Sequence, residues 1–212
     1  MDVPLTVLEA AARRRSIKTF KSDPIPSDLL DKVLEAARQA PSSFNLQLTR
    51  VVVIRSAEQK EALAQVAWGQ KQIVQAPVTL VFASAFRAWE ETMDEMLEQA
   101  RSSGAWPEKM VEFVRANAPG FQAALGDRER EYGVKDAMIA ATHAALAAES
   151  LGLGTCFMNG WEEAGVKRVI GVGEDPDVAI AVVLPVGYPE SVPPSPGRLP
   201  REKVIFEERW VP

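Results

Sequence analysis

The chain carries one cysteine, Cys156, and one histidine, His143, in 212 residues. A single thiol excludes an intrachain disulfide and agrees with a reducing compartment. One histidine and one cysteine also remove the usual zinc ligand sets and the Cys/His nucleophile pair, so no metal site is expected. Basic charge is scarce as well. With 24 Lys and Arg against 29 Asp and Glu, the formal net charge is -5, which argues against an extended nucleic-acid surface but leaves room for a local basic pocket. No apolar run approaches the roughly 20 residues a membrane helix needs. The start, Met1-Asp2-Val3-Pro4, lacks the basic and apolar regions of a secretory signal. A soluble, cytoplasmic protein without nucleic-acid or membrane partners is expected. A dinucleotide fingerprint is missing too, because Gly171-Val172-Gly173 has neither a third glycine nor a strand before it.

What remains is ordinary globular composition, 47% hydrophobic and 25% charged. With no repeat or linker, residues 1–212 read as one domain. Helical spacing is expected over 5–15 and again at Leu29, Leu30, Val33, Leu34 and Ala37, with Ser27 as N-cap and Pro41 as stop. Val51-Val52-Val53-Ile54 reads as a buried strand, 57–68 as a helix, and 78–83, opened by Pro77, as a second strand. Residues 136–151 are alanine-rich, which suits a helix that others approach closely, with Gly152 and Gly154 as terminators. Residues 155–158 are strand-like, 162–170 helical, and 179–186 form the third clear apolar strand. Residues 87–132, broken by Gly104, Pro107, Pro119 and Gly126, read as several short helices forming a mobile cap. Glu90, Glu91, Asp94, Glu95 and Glu98 in it read as a solvated face. After Gly187-Tyr188-Pro189 the chain turns proline-rich and ends in Val204-Ile205-Phe206, an extended arm with no local core.

Four segments and one isolated arginine hold candidate chemistry. In Arg14-Arg15-Ser16-Ile17-Lys18, alternation along an extended backbone brings Arg14, Ser16 and Lys18 to one side, a donor set for a dianion. A solvated basic turn is the alternative. Arg198, in the stiff Pro196-Gly197-Arg198-Leu199-Pro200, is either a further phosphate ligand or a surface charge. Pro41-Ser42-Ser43-Phe44-Asn45-Leu46-Gln47 packs hydroxyls and amides around one aromatic, as a heterocycle-binding loop or a helix-terminating turn does. Gly69-Gln70-Lys71-Gln72 offers uncharged donors and acceptors. Met158-Asn159-Gly160 ends a strand and can leave backbone N–H groups free to donate. His143, set among alanines, reads as a core or interface residue.

In this order and spacing the segments resemble the nitroreductase family of FMN flavoproteins, including its NADH-oxidase-like members. The matching stretches also include Ala76-Pro77, Gly152-Leu153-Gly154-Thr155, Gly187-Tyr188-Pro189 and Arg198-Leu199-Pro200, and they run through nearly the whole chain. The resemblance implies an α+β fold with a mostly antiparallel central sheet surrounded by helices, in an intertwined homodimer with C-terminal arm exchange. It implies FMN held at the phosphate by Arg14, Ser16, Lys18 and Arg198, with added contacts from Arg15. Pro41, Ser42, Ser43 and Asn45 of the other subunit are then expected at the isoalloxazine and ribityl groups. Gln70 and Gln72 are expected at the ribityl chain or pyrimidine edge, Met158, Asn159 and Gly160 near N5, and Phe44 beside the substrate. The implied activity is ping-pong transfer of hydride from NADH or NADPH to a nitroaromatic, quinone, flavin or O2, with no catalytic side chain. A specialised dehalogenating, dehydrogenating or flavin-fragmenting relative is an alternative, and so is a flavin-binding module without turnover. One departure stands out. Gln47 is followed by Leu48-Thr49, where family members often carry Pro-Trp, so the pocket wall there is this chain's own.

Overall fold

The computed structural model describes residues 3–210. Its centre is the pair β2 (Val78–Ala85) and β4 (Val178–Gly187), joined antiparallel from Val78↔Val186 to Ala85↔Val178. Both are buried over almost their whole length, so each reads as a continuous apolar run. β1 (Thr49–Ile54) pairs antiparallel with β2, and the short β3 (Gly154–Thr155) with β4, giving the order β1-β2-β4-β3. Val78, Leu80 and Phe82 join Val182, Leu184 and Val186 on one face. Val81 and Ala83 join Ile180 and Val183 on the other. The register slips between Phe82 and Ala83, where Ala181 is the extra residue, so Ala181 and Val182 both serve the first face.

The first face is covered by α7 (Glu129–Ser150), whose Ala137, Ala140, Ala141, Ala144, Ala145 and Ala148 are almost wholly buried. Methyl side chains let the helix lie close to both the sheet and α2 (Ser27–Arg38), which packs with Leu30, Val33 and Ala37. The second face carries α3 (Ala57–Val66), α4 (Lys71–Gln75) and α8 (Glu163–Val169). Buried Lys60 of α3 donates through Nζ to the carbonyls of Val74 (3.1 Å) and Ala76 (2.8 Å), closing the C-terminal end of α4. Burial lowers the pKa of this ammonium. The short α1 (Val7–Arg13) starts with a capping box in which Thr6 and Glu9 satisfy each other's backbone.

Three expectations need correction. Ser27 is the first helical residue of α2, and Pro26 stands at the N-cap, its carbonyl accepting from Leu29 and Leu30. Residues 87–132 are not several short helices but the 14-residue α5 (Trp89–Ser102), the 18-residue α6 (Glu108–Leu125) and the start of α7. Pro119 lies inside α6 and removes one rung to the carbonyl of Arg115. The buried stripe Val111, Val114, Ala118, Gln122 and Leu125 offsets that loss. Val111, Val114 and Ala118 of this stripe join Met96, Leu97, Leu46, Leu48 and Phe86 in a separate core under the cap. The strand expected over 155–158 pairs as a ladder only at Gly154 and Thr155, with Met158 forming a lone bridge to Val183. Among the described residues, no helix is long and apolar enough to cross a membrane.

Candidate functional site

The basic segment lies on the open edge of β3. Ile17 is buried and its N–H donates to the carbonyl of Thr155 at 2.9 Å, while Ser16 forms a parallel bridge to Thr155. Gly154 permits this approach, since a Cβ there would stand 2.5 Å from Ile17 Cγ1. With Ile17 pinned inward, Ser16 and Lys18 face outward, as the alternation predicts. Two buried polar atoms in this strip have no partner in the chain, Arg14 Nη1 and Thr155 Oγ1. A buried donor left unpaired costs about 1–3 kcal/mol, and among the described residues only Ser84 Oγ and Trp89 Nε1 are unpaired in the same way. Guanidinium, hydroxyl and ammonium groups are the donor chemistry that a phosphate monoester requires. Arg15 is partly committed, because its Nη1 donates to the carbonyls of Ala12, Arg13 and Arg14 at 2.8 to 2.9 Å and closes α1. Lys18 Nζ lies 3.3 Å from Cys156 Sγ. Glu149, near the end of α7, has its pKa raised by burial, against the pull of Arg13, Arg14 and Arg15.

The third and fourth segments meet, although 90 positions separate Gln70 from Gly160. Gln70 Nε2 donates to the Gly160 carbonyl at 2.7 Å, and Gln72 Nε2 donates to Gln70 Oε1 at 3.1 Å. Trp68 (φ 56°) and Gly69 (φ 71°) are consecutive left-handed residues that end α3, with Gly69 N–H on the Ala64 carbonyl at 2.8 Å. This bend lays the Trp68 ring over Gly160, where a Cβ would stand 2.9 Å from the indole. The N–H of Met158 is not free, since it donates to Val183 at 3.0 Å. That corrects the expectation for Met158. Among the described residues, the N–H groups of Asn159 and Gly160 have no acceptor.

The 41–47 loop is held differently. Phe44, Asn45 and Gln47 all have positive φ, between 50° and 57°, a backbone that costs non-glycine residues energy and persists only where the surroundings enforce it. Here Ser42 Oγ accepts from Gln47 N–H at 2.9 Å, and Asp136 Oδ2 of α7 accepts from Ser43 N–H at 3.3 Å. Burial pushes the Asp136 carboxyl up, and the Ser43 hydrogen bond opposes the shift. Phe44 packs edge-on against Phe121 of α6 (5.1 Å between centroids), and Phe121 against Tyr132 of α7 (5.9 Å). Pro41 and Asn45 are exposed, Ser42 and Ser43 half-buried.

Within one chain, no hydrogen bond among the described residues joins this loop to the other two clusters. Arg198 is also apart, on an exposed tail where its Nη1 meets only the Gly197 carbonyl. Sequence reasoning missed Thr155, Trp68, Phe121, Tyr132 and Asp136. Of these, Phe121 and Tyr132 carried a signal as bulky side chains in a charged stretch, and Thr155 stood in a matching stretch without an assigned role.

These features define an α+β protein with a basic strip laid along one sheet edge. The chain belongs to the nitroreductase family, whose model, described as "Nitroreductase family", matches residues 11–188. It is 32% identical over 209 residues to a Thermus thermophilus protein named NADH dehydrogenase, covering 97% of this chain and 99% of that one. To the Bacillus subtilis "FMN reductase [NAD(P)H]" it is 29% identical over 206 residues, covering 97% and 74%. A solved structure of ydfN, a nitroreductase candidate from Bacillus subtilis, superposes with a TM-score of 0.84 at 25% identity, covering 94% and 97%.

Proposed function

We infer that this chain is an FMN-dependent NAD(P)H oxidoreductase. Family membership and the relatives named for FMN and NAD(P)H support it. The observation that carries it in this chain is the buried, unpaired Nη1 of Arg14 in the strip that also leaves Thr155 Oγ1 unpaired, which suits the FMN phosphate. When bound, FMN supplies the two-electron carrier that takes hydride from NADH or NADPH and passes it to an acceptor. The chain's own residues bind and orient. Arg14, Ser16 and Lys18 hold the phosphate, with Arg15 at their side. Asn159 and Gly160 offer free backbone donors, with Met158 anchoring them to β4, and Gln70 and Gln72 stand beside them. Phe44 and Phe121 wall the acceptor pocket, which favours flat aromatic acceptors such as nitroaromatics, quinones and flavins. The whole chain works as one FMN-binding domain in the cytoplasm, where its single thiol stays reduced.

The functional unit is a homodimer. The chain exposes 12569 Å², whereas a folded monomer of 23.2 kDa is expected to expose roughly 9,700 Å². Val192, Leu199, Val204, Ile205 and Phe206 on the arm are exposed. β1 presents a free edge beside a groove of about 380 Å³ lined by Leu34, Ala37, Ala40, Val51, Val53 and Ala140. A second copy's arm accounts for both, and the exchange brings Arg198 and the 41–45 loop (Pro41, Ser42, Ser43, Asn45) to the partner's cofactor. Titrating FMN into the apoprotein tests the reading: flavin fluorescence is expected to quench to a sharp endpoint at one FMN per chain. Absence of saturable binding overturns it. Double-reciprocal plots at several acceptor concentrations are expected to be parallel, and crossing lines contradict ping-pong order.

A further inference from the structure

The amide chain from Gln72 through Gln70 to Gly160 ends on the carbonyl of a peptide whose neighbouring N–H groups are free. Gln72 is buried and Gln70 half-buried, so neither amide is a solvated surface group. A buried side-chain amide that both accepts and donates is fixed in direction, because flipping it would face donor to donor. Gln72 Nε2 on Gln70 Oε1 therefore orients the Gln70 amide, and the Gln70 Nε2 bond holds the Gly160 carbonyl. The Trp68 ring, packed where a Cβ on residue 160 would sit, closes the other side. Behind the pair, Lys60 locks α4, which carries Gln72, through the carbonyls of Val74 and Ala76. Within their own segment, Met158 is the last residue bonded to β4, and Trp161 Nε1 donates back to the Met158 carbonyl at 2.9 Å, so the amide chain adds the hold on the Gly160 carbonyl itself.

We propose that Gln72 and Gln70 act in series as positioning residues, aiming the free backbone donors of Asn159 and Gly160 at the bound flavin and thereby setting its electron affinity. This rests on the FMN reading above. Two glutamines that touched the ligand separately would contribute separately. A relay contributes once, because removing either link releases the same peptide.

The test is a double-mutant cycle on the FMN-loaded protein, with Gln70→Met, Gln72→Met and the double variant, all neutral and near in volume. The two-electron midpoint potential is measured by dye equilibration, beside FMN affinity, visible spectrum and melting temperature. Loss of a fixed donor disfavours the electron-rich reduced flavin. Gln70→Met is expected to weaken binding of reduced FMN relative to oxidised FMN about tenfold, a potential about 30 mV more negative. Gln72→Met is expected to give a smaller shift of the same sign, and the double variant to match Gln70→Met alone. Additive shifts, or potentials unchanged in both single variants, overturn the relay. If Gln70→Met does not fold, the Gln72→Met potential decides by its shift or lack of one. Wild-type protein that holds no FMN is a different result: it overturns the cofactor reading, and the relay falls with it.

Discussion

The molecule fastens its two kinds of candidate site in different ways. The strip around Arg14, Ser16 and Thr155 is tied to β3 by backbone bonds, and the 159–160 donors are clamped from α3 and α4. The 41–47 loop is held by aromatic edges to the cap, a strained backbone and one hydrogen bond donated to a buried carboxylate of α7. Backbone pairing fixes geometry whatever ligand arrives, whereas side-chain packing can change its shape with the acceptor. Under the function proposed above, the first region serves a constant cofactor and the second a variable substrate. Changes in the first should therefore act on FMN binding, and changes in the second on acceptor choice.

Arg14→Ala should break this division most strongly on the cofactor side. Charge-assisted hydrogen bonds contribute about 1.5–3 kcal/mol each, so FMN affinity measured by fluorescence titration is expected to fall about 100-fold with little loss of melting temperature. An unchanged affinity removes Arg14 from the phosphate site. Gly154→Ala comes next. The new Cβ meets Ile17 at 2.5 Å, and overpacking of that kind costs about 1–3 kcal/mol. Both the denaturation midpoint and FMN affinity should drop together, because the same contact seats the basic strip.

Phe121→Ala sharpens the other side. Edge-on aromatic pairs contribute about 0.5–1.5 kcal/mol, so kcat/KM for a bulky quinone relative to O2 is expected to change up to about tenfold. FMN affinity should stay within about twofold of wild type. A larger effect on FMN than on acceptor ratio would erase the distinction between the regions. The smallest expected effect is at Asp136. Its pKa is raised in the fold, so the folded state holds the proton more tightly than the unfolded chain. Stability is therefore lost as pH rises from the ordinary carboxylate range through the raised value. Asp136→Asn keeps an oxygen for Ser43 N–H and carries no charge. Its melting temperature should match wild type in acid and exceed it near neutrality, and identical pH profiles would contradict the assignment.

The sequence exposed the first region better than the second. Runs of β-branched residues mark β2 and β4, and alanine density marks α7, because burial on both faces leaves no polar alternation to confuse them. The donor types at Arg14, Ser16 and Lys18 were legible for the same local reason. The partnership of Gln70 with Gly160, and the role of Thr155, depend on contacts that chain order does not reveal. The cap misled because Pro119 and Gly126 carry breaker signals that a tertiary stripe outweighs at Pro119, and because α7 starts at Glu129, before its alanines begin. Met158 misled in the opposite direction. Its segment does end a ladder, yet one isolated bridge still takes its N–H.

The most direct test of a cofactor-built reductase is anaerobic titration of the FMN-loaded protein with NADH and, separately, NADPH, followed at the oxidised-flavin absorbance. At least one nucleotide is expected to bleach the flavin at one equivalent per site, with colour returning on addition of a quinone. Protein that holds FMN but stays yellow with both nucleotides would contradict the account and leave a flavin-binding module in its place.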